Sequence, residues 1–161
     1  MRIGLVSDTH GALRPEVLGL FQGVDHILHA GDVGLPSVLT DLATIAPVTA
    51  VWGNTDSFDV RSSTVDRVEV ELGGLVVGVA HGHLVSTFDD LADVFPGADA
   101  IVHGHSHVPR DDLVAGVRML NPGSAGPGGA GWAPSVAILD VESDAITVQH
   151  LDVATGSTIH V

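Results

Sequence analysis

Cysteine is absent from the 161 residues, and so is lysine. Without cysteine there is no disulfide framework and no thiolate chemistry, so any metal would be held by oxygen and nitrogen alone. Without lysine, six arginines face twenty acids, most of them aspartate, and the formal net charge is −14. Such a surface repels phosphate backbones at long range, which argues against long nucleic acids and anionic membranes as partners. It is tolerated best at high ionic strength, where self-repulsion is screened. Long apolar runs are also missing: none approaches the ~20 residues that cross a membrane. The N-terminal MRIGLVSDTHG turns polar too soon for a secretion signal, and a cytoplasmic protein is expected. Charged residues make up only 16% against 45% hydrophobic, a balance that suits a buried, sheet-rich core. The length fits one domain, 1–161, able to bury roughly two-thirds of its unfolded surface. An acidic protein still acts on phosphate esters where a local cationic centre overrides its field, and bound metal ions are such a centre.

The first half alternates strands and helices. 2-RIGLVSD-8 reads as a buried strand ending in polar residues, and 14-RPEVLGLF-21 as a helix with Pro15 in its first turn. 26-HILHAGD-32 is a second strand, 36-PSVLTDLATI-45 a second helix, and 48-VTAVWGN-54 a third strand. This order is that of a βαβαβ unit with parallel strands. The pattern then changes. 65-VDRVEVEL-72 alternates as a half-exposed strand should, and Gly73-Gly74 turns it into 75-LVVGVAHGH-83 as an antiparallel hairpin. 87-TFDDLADVF-95 is a short amphipathic helix with Thr87 as N-cap and Asp89-Asp90 in its first turn. Strands are expected at 99–104, 117–121, 135–141 and 145–151, with a glycine-proline loop over 122–134. Sheets packed face to face, with helices outside, follow from this order. An apolar C-terminal strand offers an edge for a homodimer.

The polar residues of interest fall at strand ends. Asp8 and His10 follow the first strand, Asp32 the second and Asn54 the third; His81 follows the hairpin, and His105 and His107 the strand after it. Loops after parallel strands gather at one edge of a sheet, where open α/β folds place their sites. Each residue also has a plainer reading. Asp8 and His10 suit an Asx-type turn, Asp32 a helix cap, Asn54 turn chemistry and His81 a satisfied buried histidine. Capping explains each separately but gives no reason for all to lie at equivalent strand ends. Seven such donors, with one carboxylate shared, furnish about four ligands for each of two ions. His26, His29, His103, His150 and His160 carry no such signal and read as structural or surface residues.

The series 7-SDTHG-11, 31-GD-32, 53-GNTD-56, 81-HGH-83 and 104-GHSH-107 resembles the calcineurin-like metallophosphoesterases. It is similar in particular to the small bacterial and archaeal phosphodiesterases that share the Vps29 fold. The resemblance runs from the first strand through 121-NPGS-124, a segment that lies close to the site in the family. It implies a four-layer α-β-β-α sandwich of two mixed sheets flanked by helices, within the α/β (α+β) class. It also implies one metal among Asp8, His10, Asp32 and His107 and a second among Asp32, Asn54, His81 and His105, with Asp32 bridging. Carboxylate, imidazole and amide oxygen suit manganese, iron(II) or zinc, and the ligand types leave the choice open; manganese is the first expectation, with nickel a further candidate. Two such ions about 3.5–4 Å apart would lower the pKa of a bridging water, and the hydroxide would attack a small phosphoester in line. Asp56 is expected to accept a hydrogen bond from a ligand imidazole, His10 or His81, and His83 to protonate the leaving group or orient substrate.

The chain also departs from the family pattern. Thr55 stands where many members have a histidine that helps protonate the leaving oxygen, and threonine cannot act as an acid near neutral pH. Trp52 stands where arginine is common; it suits burial between strand and helix, or stacking on a nucleobase or aryl ester. Arg61 and Arg110 read as solvated charges that could also steer a phosphate. The expected activity is phosphodiester hydrolysis, with a phosphomonoesterase and a metal-binding scaffold as alternatives.

Overall fold

Alternation of large apolar side chains along the strands decides how the layers stack. A computed structural model describes residues 1–129, 131–142 and 145–161. In chain order its elements are β1 (Arg2–Val6), α1 (Pro15–Leu20), β2 (His26–Ala30), α2 (Pro36–Leu42), β3 (Val48–Val51), α3 (Phe58–Ser63), β4 (Arg67–Leu72) and β5 (Leu75–Ala80). A 3-10 turn at Phe88–Asp90 leads into α4 (Leu91–Val94), followed by β6 (Ala100–Val102), β7 (Arg110–Val114), β8 (Val117–Asn121), β9 (Ser135–Val141), β10 (Ile146–Asp152) and β11 (Thr158–Ile159).

One sheet runs β11-β10-β9-β1-β2-β3 and the other β4-β5-β6-β8-β7. Both are mixed: β1, β2 and β3 are parallel with β9 antiparallel to β1, and β5, β6 and β8 are parallel between antiparallel neighbours. Period-two alternation sends Ile3 and Leu5 of β1 toward the second sheet, where they meet Val77, Val79, Val102 and Leu120. Val6 faces the other way, into a cluster with Val17 and Phe21 of the α1 region, Val38 of α2 and Val60 of α3. On the far side, Ile101 and Met119 pack against Leu91 and Phe95 at α4. Three apolar interfaces separate helices, sheet, sheet and helix, the expected four layers.

Local chemistry explains several boundaries. Pro15 and Pro36 open α1 and α2, where a missing N–H costs nothing. Gly73 and Gly74 carry φ of 62° and 87°, which a two-residue hairpin turn demands. Three elements were not expected. The helix α3 falls in 57-SFDVRSS-63, where only Val60 is buried and the apolar period is too weak to see. The strand β7 is a charged edge, RDDLV, with Leu113 74% exposed. The C-terminal β11 covers His150 and Leu151 of β10, so the strand expected to offer a dimer edge is already paired on both sides there. The helix expected over 87–95 starts as a 3-10 turn, with the Asp90 carboxylate accepting the Thr87 N–H at 2.8 Å. Ala130 of the glycine-proline loop lies outside the described residues.

Two buried histidines make the fold acid-sensitive. His29 on β2 is 0% exposed; its Nδ1 accepts the Gly31 N–H at 3.3 Å, and its Nε2 lies 3.0 Å from the Thr9 hydroxyl, which donates to the Val33 carbonyl at 2.9 Å. His103 is 1% exposed and stacked on Phe88, ring centroids 4.7 Å apart. Burial pushes both imidazoles down to about 4. The unfolded chain takes up protons near pH 6.5 while the folded one does not, so stability falls as pH drops from about 6.5 toward about 4, then levels. The full loss is on the order of 3 kcal/mol per histidine. Thermal denaturation of metal-free protein should show a steadily lower midpoint from pH 7 to pH 5; an unchanged midpoint would contradict this.

Candidate metal centre

The carboxyl ends of β1, β2 and β3 in one sheet meet those of β5 and β6 in the other, and the loops leaving them converge. Asp8 and Asp32 are buried, 0% and 2% exposed, and His81 is buried at 1%. His81 Nε2 lies 3.2 Å from Asp8 Oδ1 and 3.6 Å from Asp32 Oδ2. On the other side of Asp8, His107 Nε2 is 3.3 Å from the same Oδ1 and 3.3 Å from His10 Nε2. Two groups of donors therefore form, Asp8 with His10 and His107, and Asp8 with Asp32 and His81. Asp8 is common to both. Asp32, expected to bridge, reaches an imidazole of each, with Oδ2 3.9 Å from His10 Nε2.

The donor set suits cations. His107 Nδ1–H donates to the Gly128 carbonyl at 3.1 Å, which leaves the Nε2 lone pair pointing at Asp8 and His10. Imidazole lone pairs and two buried carboxylates facing one another repel unless a proton or a metal lies among them. Burial would raise the Asp8 carboxyl, but its hydrogen bond and charge interaction with His81, and its proximity to His107, hold it below its ordinary value. It stays ionised, as a ligand must.

The backbone is bent to present these groups. Among the described residues six non-glycine residues have left-handed φ, and five are the proposed donors Asp8, His10, Asp32, His105 and His107. Each such residue costs of order 1 kcal/mol, a cost seen mainly where surrounding structure and function demand it. The second and fifth motifs lock onto the first: the Asp8 N–H donates to Gly31 O and the His10 N–H to Asp32 O, both at 2.9 Å, and Asp8 Oδ2 accepts the His105 N–H at 3.2 Å. Gly104 is required here, since a Cβ would stand 2.7 Å from that Oδ2. A Cβ on Gly53 would collide with Asp32 Oδ1. Asn121, from 121-NPGS-124, donates to Gly104 O at 2.9 Å and Ser106 Oγ at 3.0 Å, and the Ser124 hydroxyl donates to Asp8 O at 3.0 Å.

The remaining residues are placed less uniformly. The ring of His105 stands edge-on to that of His81, centroids 5.0 Å apart, while Asn54 is exposed on the loop after β3. His83 Nδ1 lies 3.0 Å from His81 Nδ1, so one ring donates to the other, and His83 Nε2 has no hydrogen-bond partner among the described residues. Burial, then the neighbouring His81 and His105, lower the His83 imidazole below its ordinary value. Asp32 is not a helix cap: α2 starts from Leu35 without a side-chain cap, and Asp32 Oδ1 accepts the Thr55 N–H at 2.9 Å.

Asp56 corrects its expected role. It touches neither His10 nor His81; its carboxylate accepts the N–H groups of Gly34, Gly53 and Val33 at 2.6, 2.8 and 3.2 Å. Backbone donors one and two residues past Asp32 outcompete the imidazoles because the two loops lie side by side. The three-residue spacing from Gly53 to Asp56 is a turn signal that points to this knot. Arg61 is not free to steer phosphate either: it donates to the carbonyls of Asp56, Asn54 and Gly53 and covers the half-buried Trp52 ring at 4.5 Å. Arg110 is paired with Asp89 and Asp112, each at 2.7 Å. Trp52 packs into the helix-side core and also meets the His83 ring at 5.3 Å, so it lies at the rim of the site. Thr55, without an acid proton, aligns Asp32 and stands 3.5 Å from His10 Nδ1.

Comparison with known proteins agrees with this geometry. The sequence profile of the calcineurin-like phosphoesterase superfamily domain matches residues 1–144. A "Probable metallophosphoesterase" of Methanothermobacter thermautotrophicus is 37% identical over 134 residues, spanning 77% of this chain and 77% of its own length. Wild-type Vps29 of Entamoeba histolytica complexed with zinc superposes with a TM-score of 0.81 at 25% identity, covering 99% of this chain and 96% of that one. A novel archaeal phosphodiesterase superposes with a TM-score of 0.75 at 27% identity, covering 94% and 100%.

Two variants separate ligand from scaffold. Asp32→Ala should lose at least one equivalent of bound metal by elemental analysis and more than about 100-fold in turnover. Asp56→Ala should cost about 3 kcal/mol in urea denaturation, because two buried N–H groups and one part-buried one lose their acceptor. Normal metal content in the first, or normal stability in the second, would refute the respective assignment.

Proposed function

The chain belongs to the calcineurin-like phosphoesterase superfamily, and from that premise we propose that this metallophosphoesterase hydrolyses small phosphodiesters. The observation that carries the reading is the pair of acid–imidazole groups sharing Asp8 at one edge of the sheets. We assign one metal to Asp8, His10, Asp32 and His107 and the other to Asp32, Asn54, His81 and His105, with manganese the first choice. When bound, two divalent ions supply a water of lowered pKa and neutralise the charge that grows on the phosphoryl oxygens. The protein's own residues do the rest. Asp8 stays ionised in a buried setting, His107 and His81 would turn Nε2 toward the ions through their Nδ1 contacts, and Thr55 fixes Asp32. His83, with Nε2 unpartnered among the described residues, is the residue we assign to the leaving oxygen.

Two arguments favour diesters over monoesters. A diester carries one negative charge where a monoester carries about two, and a chain of net charge −14 repels it less. The superposed archaeal phosphodiesterase, 27% identical, is named for that activity. The same acidity favours small substrates over long nucleic acids, and the lack of cysteine agrees with work in the cytoplasm. Among the described residues no helix is long and apolar enough to cross a membrane.

With manganese supplied, kcat/KM for bis(para-nitrophenyl) phosphate should exceed that for para-nitrophenyl phosphate by about tenfold or more. The opposite order would make the protein a phosphomonoesterase. Two bound ions with no turnover on a broad phosphoester panel would favour a scaffold.

A further inference from the structure

The cleft beside His10 holds a positive charge that the reaction described above does not use. Ala12, Leu13, Pro15 and Pro127 wall it, His10 stands within it, Arg14 lines it, and its volume is about 550 Å³. Arg2, Arg110 and Arg118 are paired with aspartates, Arg61 is turned toward carbonyls and Trp52, and Arg67 is exposed on β4, outside this cleft. Arg14 has no carboxylate partner among the described residues. Its Nε and Nη2 both donate to the Gly126 carbonyl, at 3.4 and 3.3 Å. That carbonyl is itself fixed to the metal site: the Gly126 N–H donates to Asp8 O at 3.2 Å and the Ala125 N–H to Ser7 O at 3.0 Å. A Cβ on Gly126 would come within 2.7 Å of Thr9 O, so the loop cannot easily back away. The guanidinium is thus held beside a proposed metal ligand, with Nη1 and one Nη2 proton unspent.

A positioned, uncompensated guanidinium in a strongly acidic molecule is an anion subsite. We propose that Arg14 determines specificity by binding a second anionic group, a carboxylate or a phosphate, carried on one ester arm of the substrate. The apolar walls take the carbon skeleton that joins this group to the scissile phosphorus. The proposal rests on the phosphoesterase reading above.

Three para-nitrophenyl phosphodiesters that differ only in the second arm test it: phenyl, para-carboxyphenyl and para-phosphonophenyl. In the metal-loaded protein, an anionic arm should raise kcat/KM by about tenfold over phenyl, mainly through KM. Arg14→Gln, which keeps a donor for Gly126 O, should bring that ratio to about one and leave the phenyl ester unchanged. Arg2→Gln removes the same charge at the far end of β1 and should keep the wild-type ratio. Of the two anionic arms, the better substrate identifies the anion as carboxylate or phosphate. A ratio near one in the wild type, or an equal loss on all three esters in Arg14→Gln, overturns the proposal. Calorimetric titration with phenylphosphonate and para-carboxyphenylphosphonate reads the subsite without turnover. Tighter binding of the carboxylated probe by wild type alone supports it, and equal binding by both proteins overturns it. Absence of hydrolysis with that binding difference intact counts against the hydrolase reading and not against Arg14.

Discussion

The Asp8 carboxylate is the point on which the structure turns. It leaves the end of β1 in one sheet and meets His81 and His107, both from the other sheet, through a single oxygen at 3.2 and 3.3 Å. Its second oxygen accepts the His105 N–H. A fully buried, ionised carboxylate is tolerated only when charge and hydrogen bonds replace its lost water. Here they are drawn from four segments of chain brought together by the packing of two sheets. The apolar interface between those sheets, Ile3 and Leu5 against Val77, Val79 and Val102, therefore also sets the spacing of the donors.

Around this carboxylate the backbone accepts conformations it would otherwise avoid. Left-handed φ at Asp8, His10, Asp32, His105 and His107 turns each side chain inward just where its strand ends. The strain is held by main-chain bonds between loops, Asp8 to Gly31, His10 to Asp32 and Gly126 to Asp8, and by the Asp56 knot. Asp56, Asn121 and Ser124 thus serve the site indirectly, by holding loops whose neighbours carry the donors. Close approach completes the cage: at Gly104 and Gly53 any side chain would occupy the space of a carboxylate oxygen.

Charge is organised on two scales. The surface as a whole repels anions, whereas the site gathers imidazoles and, in the adjoining cleft, an arginine with no carboxylate partner among the described residues. A long polyanion meets the whole field, whereas a small anion meets the charges about the site, where bound cations would reverse the local sign.

Much of this was legible in the chain order of residues. The periods of two and near four, Pro15 and Pro36, Gly73-Gly74, and the placing of Asp8, Asp32, His81, His105 and His107 after strands are local signals, and local sterics and hydrogen bonding decide them. The weakly patterned α3, the charged edge β7 and the short β11 left no such signal, because pairing and a single buried valine make them. Which partner a polar side chain takes was not legible either. Asp56 chose backbone N–H groups over imidazoles, Arg61 chose carbonyls and a tryptophan over phosphate, and Asp8, like Asp32, reaches imidazoles of both donor groups. The sequence by itself determined the layers and which donors stand at the same edge, since those depend on neighbours along the chain. The tertiary structure alone decided which donor faces which, because distances of 3 to 4 Å between residues as far apart as Asp8 and His107 are set by how two sheets pack.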